Sequence, residues 1–171
     1  MKKVTLDYIE IEWEGPKSLK EVLENEKTVD ENFGLYQIYG DHAIYGRDTL
    51  LYIGKTKRAI AERFREHSDW LPYEQSSAKI YLGRLGDNKY EKTEKDKMIG
   101  MAESLLIYYC APSYNARGIS YKSLEGIDDL IVLNYGSKAM LPYELSTLYE
   151  RSEYVQELIK KSYSELLGMG E

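Results

Sequence analysis

Glu103 is the only ionisable carboxylate in the run Met98-Ile99-Gly100-Met101-Ala102-Glu103-Ser104-Leu105-Leu106-Ile107-Tyr108-Tyr109-Cys110. The run is apolar nearly all round, so as a helix it should be buried. A buried carboxylate is costly unless it is paired or binds a metal. Two roles stay open: an ion pair (to Arg63, for instance) or a place at the helix edge, and ligation of a cation. A hard cation such as Mg²⁺ suits the second role, because one or two carboxylates with substrate phosphate and waters complete its shell.

Arg63 and His67 are four residues apart and share one face of a basic helix. The planar guanidinium of Arg63 can hold a phosphate, and His67 can add a hydrogen bond or help move a proton. Their plainer reading is a solvated charged face shared with Arg58, Glu62, Arg65 and Glu66. Tyr36 and Tyr52 fall on neighbouring strands, where sheet packing alone would account for them. Positive charge nearby would lower a phenol's pKa, and a phenolate could take a proton from an attacking water. Lys55, Arg63 and a metal are the sources of such charge.

Other chemistries lack their residues. There is no P-loop, no dinucleotide fingerprint after a strand and no CxxC. Two histidines and one cysteine argue against a dedicated zinc site. Cys110 ends an apolar helix and reads as inert packing.

The elements that must carry these residues follow from periodicity and breakers. Val4 to Trp13 reads as a strand, broken at Gly15-Pro16, where Pro16 opens a short helix. Glu24 to Asn32 is a charged loop. Gly34 to Tyr39 and Leu50 to Ile53 are strands, joined closely enough for an antiparallel pair. A helix from about Arg58 to His67 has Ile60, Ala61 and Phe64 as its inner stripe. Ser77 to Leu85 is a third strand. A long helix runs from about Lys95 to Cys110 and stops at Pro112. Leu130 to Leu133 reads as one more strand, and a last helix runs from about Thr147 to Leu167.

Composition sets the outer bounds. The chain has 171 residues, 43% hydrophobic and 30% charged, which suits one ordinary globular domain. A net charge of −6 opposes broad, non-specific nucleic-acid binding. Residues 55–66 run the other way, with five positive and two negative side chains, or +3. The acidic excess lies before residue 32 and after residue 143. The N-terminus lacks the apolar run of a signal peptide, no stretch is apolar enough to span a membrane, and a single cysteine suits a reducing compartment, so the cytoplasm is the default expectation. The 17 tyrosines are mostly ascribed to half-buried strand positions, with base stacking as the sharper alternative.

In order, Gly34-Leu35-Tyr36, Tyr52-Ile53-Gly54, Arg63, His67, Glu103 and Tyr114-Asn115 resemble the GIY-YIG nuclease family over about residues 32–117. Leu35 replaces the isoleucine of the first triplet, and Arg63 lies nine residues after Gly54. The resemblance implies an α+β fold with a small three-stranded antiparallel central sheet flanked by helices. An N-terminal strand and helix and a C-terminal helix would be added to it. It implies hydrolysis of DNA phosphodiesters with one Mg²⁺ or Mn²⁺ held by Glu103. Tyr36 matches the general base, Tyr52 the second active-site tyrosine, Arg63 the phosphate-stabilising arginine and His67 a supporting polar residue. Gly54, Lys55, Lys57, Arg58, Arg65 and Asn115 are expected at the DNA phosphates, with Asn115 also ordering the site.

Residues 1–171 are expected to form one domain, with 1–31 and 118–171 as flanks packed on or extending the core. The acidic C-terminal region is expected to serve a homodimer or a protein partner. There Leu148, Val155, Leu158 and Ile159 would form an apolar stripe beside Glu144, Glu150, Glu153 and Glu157. The alternative function is a catalytically silent module that binds nucleic acid or protein on the same fold.

Overall fold

The computed structural model describes residues 7–24, 33–65, 78–86, 92–120, 124–127 and 129–148. Their elements, in order, are β1 (Asp7–Lys17), α1 (Leu19–Glu24), β2 (Phe33–His42), β3 (Gly46–Lys55), α2 (Ile60–Arg65), β4 (Lys79–Leu85), α3 (Lys92–Cys110), β5 (Leu130–Gly136) and β6 (Glu144–Ser146). His67, Val4 and the segment beyond Leu148, including most of the expected last helix, lie outside the described residues.

The expected three-stranded antiparallel sheet is corrected to a six-stranded mixed sheet, curled into a half-barrel, in the order β3-β2-β4-β1-β5-β6. The strand read as an N-terminal flank, β1, lies near its middle. It pairs antiparallel with β4 (Trp13 opposite Gly83) and parallel with β5 (Ile9 opposite Val132). Alternation along β1 sends Ile9, Ile11 and Trp13 into the core. Such a pattern marks one buried face but does not name the strands on either side. β5 lies more than a hundred residues downstream of β1, and its parallel pairing leaves no local signature.

Gly15-Pro16, expected to end the strand, interrupts its ladder without ending it. β1 runs on to Lys17, and its register with β4 shifts between Glu14 and Lys17. The helix starts later, behind Ser18. There Ser18 Oγ accepts the Glu21 N–H at 3.2 Å and the Glu21 carboxylate accepts the Ser18 N–H at 2.7 Å. This reciprocal cap satisfies two of the donors exposed at a helix start. β2 and β3 are longer than expected and meet in a tight hairpin, with His42 opposite Gly46.

The sheet buries both faces. Ile9, Ile11, Trp13, Leu35, Ile53 and Val132 meet Ile99, Ala102, Leu105 and Leu106 of α3. On the other side Tyr36, Ile38, Ile80 and Leu82 meet Val22 of α1 and Phe64 of α2. The open edge, β3, is covered by the chain leaving α3: Ser113 and Tyr114 donate their N–H groups to the carbonyls of Leu50 and Leu51 at 3.3 and 2.8 Å. Covering the edge removes a row of unpaired backbone groups. Among the described residues no helix is long and apolar enough to cross a membrane.

Candidate active site

Gly54 is the point where the site packs. A Cβ built there would lie 2.5 Å from Tyr36 Oη, 2.6 Å from Tyr36 Cζ and 2.6 Å from Tyr52 Cε1. Two rings from adjacent strands therefore fill the space a side chain would take. Tyr36 and Tyr52 stack with centroids 5.9 Å apart and planes at 22°. Phe64 of α2 packs on Tyr36 at 5.1 Å. The spacing of Phe64 on α2 thus sets the helix against β2, and one residue earlier the same helix delivers Arg63, whose Nε donates to Tyr36 Oη at 3.2 Å.

Gly34 has a matching part on the opposite face. A Cβ there would overlap Ile99 Cδ1, so the glycine lets α3 close onto β2. α3 then carries Glu103 to the end of β3, where its carboxylate meets Lys55 Nζ at 3.0 Å. The Glu103 side chain is 19% exposed, which answers the cost of burying it: it is paired, and with Lys55 rather than Arg63. Tyr52 and Glu103 share a cleft of ≈ 410 Å³ with Ser104, Tyr114, Asn115 and Arg117. Arg117 was not among the residues singled out from sequence; an isolated arginine in a loop gives no periodic signal.

The other expected contacts divide. Asn115 is 8% exposed, and its amide is taken up by Ile53: Oδ1 accepts the N–H and Nδ2 donates to the carbonyl, both at 2.9 Å. It thus continues the cover of the β3 edge. Lys57 pairs with Asp96 of α3 at 2.7 Å in an exposed contact. Arg58 and Arg65 lie on the exposed surface at either end of α2. The structure brings together Tyr36, Tyr52, Gly54 and Arg63, and sets Lys55 and Glu103 beside them.

Electrostatics at Tyr36 run against the expected lowering. Tyr36 is fully buried, and burial pushes its phenol well above the usual value of about 10. The neighbouring Tyr52 adds to the rise, Arg63 offsets part of it, and the charge of Glu103 raises it further. Removal from water here outweighs one guanidinium. At neutral pH Tyr36 keeps its proton. Burial likewise pushes the Cys110 thiol up to about 11, which keeps it a thiol.

Glu103 fits a cation site of the single-carboxylate kind, with its carboxylate on the cleft wall and room for phosphate beside it. A cation there would compete with the Lys55 ammonium. Among the described residues no three His, Cys, Asp or Glu side chains converge, so a cage built wholly of such ligands has no place there.

No protein-family model, curated protein or solved structure matches the chain.

Proposed function

We propose that the chain is a metal-dependent endonuclease that hydrolyses DNA phosphodiester bonds. The observation that supports this reading best is the convergence on Gly54. Tyr36, Tyr52, Arg63, Lys55 and Glu103 come from β2, β3, α2 and α3, and the order of their motifs matches the resemblance noted above.

In this reading Arg63 and Lys55 hold the scissile phosphate and offset the charge that builds on it. Glu103 would hold Mg²⁺ or Mn²⁺, which when bound would supply Lewis-acid polarisation of the phosphate and make the attacking water more acidic. Tyr52 walls the cleft beside Glu103 and fixes the Tyr36 ring. Tyr36 acts at the proton of the attacking water. Because burial keeps it protonated, its action as a base depends on more positive charge than Arg63 alone brings, and a cation at Glu103 would offset the carboxylate charge that raises Tyr36.

The test is supercoiled plasmid with Mg²⁺ and then Mn²⁺. Wild type should nick it, and Glu103→Ala should not, while both unfold at similar temperatures. A second reading, a silent binding module, draws on one observation: the Lys55 ammonium already occupies Glu103. Retention of DNA that weakens with salt, with no product in either metal, would favour it.

A further inference from the structure

The turn of the β2–β3 hairpin carries side chains that the fold does not use. Ile44 is 82% exposed and Tyr45 is 69% exposed. The turn beneath them is nonetheless well fixed. His42 Nδ1 accepts the N–H groups of both Ile44 and Tyr45, at 3.1 and 3.2 Å, so the imidazole is held in one orientation. Tyr45 stacks on that imidazole, with centroids 4.7 Å apart and planes at 26°. Tyr114 lies against the same imidazole at 5.5 Å, and its own backbone is pinned to Leu51. Tyr114 also lines the cleft that holds Tyr52, Glu103 and Arg117. The rings of Tyr45, His42 and Tyr114 therefore form a row from the hairpin turn to the cleft that Tyr52 also lines.

We propose that this row is a stacking platform for an unpaired DNA strand, which it leads toward Tyr52 and Glu103; the proposal rests on the nuclease reading and names the class of its substrate. Aromatic faces stack on any base, but a base in a duplex has no free face to offer. Exposed rings held rigid before binding lose little conformational freedom when a base settles on them. The charge around the row suits a phosphate backbone. Arg117 is exposed on the cleft wall, and Arg47 is exposed two residues after Tyr45. Among the described residues, Asp48 is matched by Lys79 at 2.6 Å and Glu103 by Lys55 at 3.0 Å, and Asp41 also acts on Lys79.

The experiment is fluorescence anisotropy of labelled oligo(dT) and of a blunt duplex of equal length, in EDTA, so that binding is read without cleavage. Wild type should prefer the single strand. Tyr45→Ala should weaken strand binding by about 5- to 150-fold and leave duplex binding little changed, while Tyr45→Phe, which keeps the ring, should behave as wild type. Tyr45 has no part in the packing around Gly54, and the alanine variant loses only the stack on His42, so all three proteins should unfold within about 5 °C of one another. Equal binding of strand and duplex, strand binding by Tyr45→Ala equal to wild type, or no strand binding would each overturn the platform. A Tyr45-dependent strand binder that never nicks plasmid would overturn the nuclease reading and leave the platform standing.

Discussion

Replacing Gly54 by alanine puts a methyl group where two tyrosine rings already lie. The new carbon would sit 2.5 Å from Tyr36 Oη, 2.6 Å from Tyr36 Cζ and 2.6 Å from Tyr52 Cε1, about an ångström inside ordinary contact. Tyr36 has nowhere to go: it is fully buried, packed by Phe64 and bonded to Arg63. Tyr52 is only half-buried, so relief must come from its ring or from the backbone of β3. Overpacking of a core costs about 1–3 kcal/mol, and contacts this short on a fixed ring belong at about 3 kcal/mol. In a domain of this size that lowers the unfolding temperature by about 6–12 °C. Thermal unfolding followed by circular dichroism reads the shift directly. The same change in a Tyr52→Ala background should cost less, because one of the two rings has gone. An unfolding temperature within about 1 °C of wild type would refute the packing argument, since a loss of even 1 kcal/mol would exceed it.

Two further outcomes follow from the same geometry. Asn115→Ala removes both hydrogen bonds to Ile53 and should cost about 2–4 kcal/mol, read as a lowered urea midpoint. Stability should also fall in alkali. Tyr36 and Tyr39 have phenol pKa values raised in the fold, chiefly by burial, so their contribution is complete below about pH 10 and is lost as pH rises toward the folded values. Each adds a slope of up to about 1.4 kcal/mol per pH unit, and Tyr39→Phe should make the alkaline decline in urea midpoint shallower.

The sequence carried the local parts of this structure and missed the parts made by distant partners. β-forming runs between breakers located the strands holding Tyr36 and Tyr52; burial alternates around Tyr52 in β3, whereas residues 34–40 of β2 are buried on both faces and leave only a continuous run. The apolar run around Glu103 reads as a buried helix; it is a helix, but only one face is buried, through Ile99, Ala102, Leu105 and Leu106, and Tyr109 is exposed. The sheet order was hidden, because β1 finds β5 across the length of the domain and β6 is only three residues long. Pro16 looks like a helix start, but Ser18 and Glu21 together make the better cap. Glu103 needed a cation, and spacing could not choose between Arg63 on one face of the sheet and Lys55 at its end. The rise at Tyr36 comes from burial, which a list of nearby charges does not contain. The tyrosines divide in the same way: Tyr36 and Tyr39 are core, while Tyr45 and Tyr114 are exposed around His42, and only the folding of the hairpin brings those rings together.

The central claim is that the residues around Gly54 act as one unit on a phosphodiester. It is tested most directly by the rate of plasmid nicking in Mn²⁺ by wild type, Glu103→Ala, Arg63→Ala and the double variant, each first shown to be folded. The account predicts measurable nicking by wild type, a loss of about 10²-fold or more in each single variant, and a double variant little worse than either, because residues that act together are not additive. Nicking by Glu103→Ala at the wild-type rate would contradict it.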